Sequence, residues 1–147
     1  MTSGFGSPAA TQVCREEAAE FRVTGGSMFP ALRPGDCLVV RRSDVQALRP
    51  GDLVAFLGPD GRICTHRVRG FENGCPVTWG DAAPAADPPL EPHEILGVVV
   101  EVRRGRRSFV PRRVPPFWER AIAQLCRRSV LFHRLALKLW ALCRPNP

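Results

Sequence analysis

The segment GGSMFPALRPGD, residues 25–36, places one hydroxyl, Ser27, between Gly25-Gly26 and Met28, with Pro30 and the stiff turn Pro34-Gly35-Asp36 behind it. A serine hydroxyl is a weak nucleophile until a base within hydrogen-bond reach takes its proton. The only lysine, Lys138, lies near the C-terminus, so a base close to Ser27 has to be a histidine. Of the three histidines, His133 also lies in the C-terminal segment and His93 in a proline-rich connection. His66 is central to CTHRV, where alternation along a strand can aim it at a site. A third group must orient the imidazole and stabilise its charged form, and TWGDAAPAADPP offers Asp81 and Asp87. Each residue alone has an ordinary structural use, a strand histidine as a satisfied core group and Asp after Gly as a turn. Together they are the groups of hydrolysis by an activated hydroxyl.

The elements that would hold these groups are mainly β. The segments 36–42, 52–58, 62–70, 75–80 and 95–104 are short and β-branched, and RPGD, GPDG and ENG punctuate them. Pro-Asp-Gly between two such runs is a hairpin turn, since Pro fixes φ and Gly accepts positive φ. RPGD occurs at 33–36 and again at 49–52, each time opening a strand. Residues 21–104 therefore read as a small, twisted, mostly antiparallel β domain. Residues 1–20 form an N-terminal segment, in which 11–21 read as a short helix capped by Thr11, its pattern running just into the domain. Residues 105–147 read as a basic linker and an amphipathic helical tail. There Trp118, Ile122, Leu125, Phe132, Leu135, Leu139 and Leu142 recur at nearly helical spacing.

At 147 residues and 44% hydrophobic, the chain has the size and apolar content of one packed domain. The net charge of +7 is unevenly spread. Residues 1–102 carry nine arginines against thirteen carboxylates, a balance of −4. Residues 103–147 carry eleven arginines and Lys138 against Glu119, a balance of +11. A basic, amphipathic segment of this kind suits a membrane surface or a partner protein through residues 115–144, or packs on the chain's own β core. Nucleic acid is the less fitting partner, because no helix-turn-helix pattern accompanies the charge. The six cysteines form no C-x-x-C pair, so no metal site and no cofactor are expected. The first twenty residues lack the basic start and apolar run of an export signal, and no run of about 18 apolar residues suits a spanning helix. The expected location is the cytoplasm, with peripheral membrane contact through the tail.

These motifs resemble those of the signal peptidase I superfamily. GSMFPALRPGD is similar to its nucleophile box, Ser-Met-x-Pro-x-Leu-x-x-Gly-Asp. THRV resembles the His-Arg box of the archaeal and endoplasmic-reticulum-type branch, in which histidine replaces lysine as base. WGDAAPAADPPLEPHEILGVVVEV resembles that branch's Gly-Asp-x-x-x-x-x-Asp box and the strand after it. The boxes follow the family's order and span residues 23–102. The resemblance implies a serine endopeptidase that acts on a precursor or leader peptide, cutting after small residues, with Ser27 as nucleophile and His66 as general base. One of Asp81 and Asp87 would orient His66, and the other would support the loop. It also implies that the Ser27 N–H helps bind the oxyanion, that Gly25 and Gly26 let substrate approach, and that Met28 and Pro30 shape the floor and exit. Many relatives carry a hydroxyl two residues before the nucleophile, where this chain has Gly25, and a spanning helix where it has CREEAAEFRVT. The alternatives are a peptide-binding module of the same fold without catalysis, and a regulator whose basic tail binds nucleic acid.

Overall fold

The computed structural model describes residues 18–143. Its frame is a seven-stranded antiparallel sheet, with strands β1 (Ala18–Arg22), β2 (Cys37–Arg41), β3 (Leu53–Leu57), β4 (Ile63–Glu72), β5 (Cys75–Trp79), β6 (Ile95–Arg104) and β7 (Arg107–Phe109). The spatial order is β1-β2-β6-β3-β4-β5, and β7 folds back on β6. Helices α1 (Phe117–Arg128) and α2 (Val130–Leu142) follow. The chain is thus mainly β with a helical C-terminal part. All five segments with strand-like sequence are strands, joined by the turns that their glycines permit: Gly61 at φ 75° after Pro-Asp, and Asn73-Gly74 at φ 51° and 81°.

The two RPGD segments fold alike. Gly35 and Gly51 both adopt φ 95°, where a side chain would be strained, so each proline-glycine pair makes the same tight turn. In each, the aspartate accepts a hydrogen bond from the backbone N–H of the arginine three residues earlier, at 2.8 Å in Asp36 and 2.9 Å in Asp52. An arginine from the basic half then holds each buried carboxylate. Arg104 donates to Asp36 at 2.9 and 2.7 Å, and Arg113 to Asp52 at 2.6 Å. Arg103 likewise pairs with Glu20 and Glu101. Part of the uneven charge along the chain therefore closes on itself when the chain folds.

The main core collects Leu38, Val40, Leu53, Ala55, Leu96 and Val102, with Met28 and Leu32 supplied by the segment after Ser27. Each buried aliphatic side chain contributes roughly 1.5–3 kcal/mol. That burial anchors the segment carrying Ser27 from beneath. A second cluster, Leu48, Val54 and Val68, is flanked by Ile95 and Val98.

Two expectations need correction. Residues 18–21, read as the end of a helix, lie in β1, where Ala19 is buried and Glu20 exposed. Pairing with β2 over five residues outweighs the helical preference of Ala and Glu. The rest of that expected helix lies outside the described residues. The C-terminal stripe, read as one helix, is broken at Ser129, whose φ of −137° ends α1 and whose Oγ accepts from Phe132 N–H at 3.2 Å to cap α2. The break shifts the helical phase. Only Ile122 of the stripe turns inward, beside Ala123, Cys126, Ala136, Leu137 and Trp140, which pack around Phe29 and Ala82. Trp118, Leu125, Phe132, Leu135, Leu139 and Leu142 are exposed. Among the described residues, no helix is long and apolar enough to cross a membrane.

Candidate active site

Ser27 sits where the chain leaves the β1 extension and enters a compact turn. Val23 is bonded on both sides, donating to Asp36 O at 2.8 Å and accepting from Gly35 N–H at 2.7 Å. The turn is closed by Phe29 N–H to Gly26 O at 3.0 Å and Leu32 N–H to Met28 O at 3.0 Å. Across from it, β4 presents His66, which is 9% exposed. Its neighbour β5 presents Thr78, and the loop after β5 returns so that Asp87 N–H bonds Thr78 O at 2.9 Å.

These three elements bring Ser27, His66 and Asp87 into one hydrogen-bonded chain. Asp87 Oδ2 lies 2.5 Å from His66 Nδ1, and His66 Nε2 lies 3.0 Å from Ser27 Oγ. Asp87 Oδ2 also accepts from Thr78 Oγ1 at 2.7 Å. A carboxylate accepts only, so His66 carries its proton on Nδ1 and offers the Nε2 lone pair to the Ser27 hydroxyl. Phe56 packs edge-on against the imidazole, with ring centroids 5.6 Å apart. Gly80 closes the rear: a Cβ there would lie 2.8 Å from Ser27 O and 3.0 Å from His66 Nε2. The Ser27 N–H makes no hydrogen bond with a described residue, which leaves it available to an incoming oxygen.

Asp81 has a different place. It is 5% exposed and takes two bonds from Arg67 Nε, at 3.0 and 3.3 Å, and one from Arg67 Nη2 at 2.8 Å. Arg69 adds a fourth at 2.9 Å. The remaining Arg67 donor, Nη1, reaches the carbonyls of Gly51, Arg112 and Arg113. Asp81 therefore fastens β4 to the loop after β5 and does not meet His66. Its backbone N–H donates to Met28 Sδ at 3.3 Å, and Ala82 N–H donates to Ser27 O at 2.8 Å, so the same loop braces the nucleophile turn.

The four residues expected to line a substrate path divide. Gly25 is open, with nothing within 4 Å of a Cβ placed there. Gly26 is not: a Cβ would meet Leu137 at 2.7 Å and His133 at 2.8 Å, and His133 Nε2 donates to Gly26 O at 2.9 Å. The glycine there admits α2 and not an incoming chain. Met28 and Pro30 are buried, so they support the turn from below. β4 instead keeps an edge that β5 does not pair. Residues 63–66 pair with β3 alone, because pairing with β5 begins at Arg67. That strand edge runs directly up to His66.

No family model, curated protein or solved structure matches the chain. The chemistry of the site is therefore argued from its geometry. Burial pushes the Cys64 thiol above the usual thiol range, and the charges of Asp60 and Asp87 add to it.

Thr78, Arg67, Gly80, His133 and Leu137 also shape the site, yet spacing gives no notice of most of them. Thr78 was readable in principle, since alternation through CPVTWG puts it on the face opposite Trp79. Arg67 is a charge inside an apolar strand, the kind of residue that is buried only when paired. The packing of α2 on Gly26 follows from tertiary contacts that no local pattern announces.

Proposed function

We propose that the chain is a serine endopeptidase of the signal-peptidase type, acting on a precursor or leader peptide. The observation that carries this reading is the continuous hydrogen-bonded chain from Asp87 through His66 to Ser27. In the mechanism it supports, His66 Nε2 takes the Ser27 proton as Oγ attacks the peptide carbonyl. Asp87 holds the ring in the productive tautomer and stabilises the imidazolium that forms. The Ser27 N–H donates to the oxyanion, an interaction typically worth about 3–4 kcal/mol. His66 then passes its proton to the leaving amine, and water repeats the sequence to release the acyl group. An extended substrate pairs along the free edge at residues 63–66, which presents its carbonyl beside Ser27. The order of the three sequence boxes and the mainly β frame support a fold of the signal-peptidase kind.

A fluorophosphonate probe tests the reading. It is expected to label the wild type at Ser27 and to leave Ser27→Ala unlabelled. Equal labelling of both proteins, or none in either, would remove the peptidase assignment. In the second case, retained affinity for an extended peptide would favour the binding module.

A further inference from the structure

A second concavity lies behind this site, between the β4–β5 hairpin and α1. It is a cavity of about 630 Å³ with five arginines in its wall, Arg67, Arg69, Arg113, Arg120 and Arg127, against two carboxylates, Asp81 and Glu119. Its volume falls in the range of small-molecule sites. Two of the arginines are occupied: Arg67 by Asp81 and three carbonyls, and Arg113 by Asp52. The other three keep guanidinium donors to spare. Arg69 makes one bond, to Asp81, and its side chain remains 42% exposed. The Arg120 side chain makes no hydrogen bond or ion pair with a described residue. Arg127 lies over Trp79, 4.5 Å from the ring centroid, and donates once to Asp81 O. Its Nε is buried with no partner among the described residues.

A buried N–H without an acceptor is rare and points to a missing partner. The cations also act on each other. Burial lowers the Arg69 pKa first, and although Asp81 raises it, Arg67, Arg127 and Arg120 all lower it further. An anion in this space relieves both costs. Guanidinium groups arriving from a strand and from a helix suit an acceptor with oxygens in several directions, whereas a carboxylate presents one planar pair. Trp79, Val114, Pro115 and Ala123 supply apolar wall for the rest of a ligand.

We propose that this cavity binds a small phosphate-bearing ligand, its phosphate held by Arg69, Arg120 and Arg127. The site is separate from the serine chemistry. Thr78 and Gly80 face His66 and Asp87, whereas Trp79 and Asp81 meet the arginines. The proposal therefore stands or falls independently of the peptidase reading.

Calorimetric titration of the full chain in physiological salt tests it, with pyrophosphate and glycerol phosphate as probes and citrate as the carboxylate control. The Ser27→Ala protein is titrated alongside and is expected to bind the same probes equally. Saturable binding of a phosphate probe is expected, about tenfold or more tighter than citrate. Arg120→Gln, a change at a side chain with no described contact, is expected to weaken it about tenfold, as loss of one charged hydrogen bond does. Arg127→Gln, checked for an unchanged fold by circular dichroism, is expected to do the same. Absence of saturation at millimolar probe, equal affinity for citrate, or unaltered binding in both variants would each overturn the proposal.

Discussion

Asp81 and Asp87 lie six residues apart in one loop, and either could have faced His66 on spacing alone. Asp87 keeps 22% of its side chain in solvent and gathers neutral donors, the Thr78 hydroxyl and the His66 Nδ1–H. Asp81 is 5% exposed and meets two guanidinium groups. The difference teaches what each environment is suited to. A carboxylate already neutralised by fixed cations has little field left for a developing imidazolium. One held by neutral donors retains its charge for that purpose. The loop thus separates a structural anchor from the carboxylate bonded to His66 within a few residues.

Exchanging each carboxylate for its amide breaks or sharpens this contrast. Asp87→Asn is expected to lower kcat by about 10⁴-fold, since the amide favours the wrong imidazole tautomer, while the melting temperature hardly moves. Steady-state assay on a cleaved leader peptide, paired with thermal melting, reads both; a loss under tenfold would detach Asp87 from the reaction. Asp81→Asn is expected to cost about 3–5 kcal/mol of stability, because Arg67, 2% exposed, is left as a buried charge without its counterion. Denaturant unfolding measures it, and a midpoint equal to wild type would deny Asp81 its anchoring role. The smallest effect belongs to Thr78→Val, which removes one donor from Asp87 but keeps the shape. A fall of about tenfold in kcat/KM is expected, with the fold intact, and unchanged kinetics would show that His66 alone is enough to hold Asp87.

Much of the frame was legible because its signals are local. The turn residues of RPGD, GPDG and ENG dictate where strands begin and end, and β-branched runs fill the intervals. β1 was missed because EEAAEF has helical composition, and its strand state comes from a partner fifteen or more residues away. β7 is the triplet Arg-Ser-Phe, too short to carry a pattern of its own. The helix break at Ser129 was hidden by apolar residues that continue through it. At the site, the residue types of Ser27 and His66 were informative, and their 3.0 Å approach agrees with the order in the chain. The choice between two aspartates was not legible, because spacing fixes which loop they share but not which way each side chain turns. Gly26 was misjudged for a related reason: a glycine marks a close approach without saying by what.

The hydrogen bond from His133 to the Gly26 carbonyl makes the last helix a brace for the residue just before the nucleophile. Trp140 extends that brace by lying under the Arg33 guanidinium, 4.4 Å away, at the far end of the same turn. A shortened protein ending ahead of Val130 would keep every strand and all three members of the relay, yet it would lose the side chains that pin the backbone on which the hydroxyl is mounted. Trimming this tail therefore removes support from the Ser27 turn as well as altering the charge and greasiness of the surface.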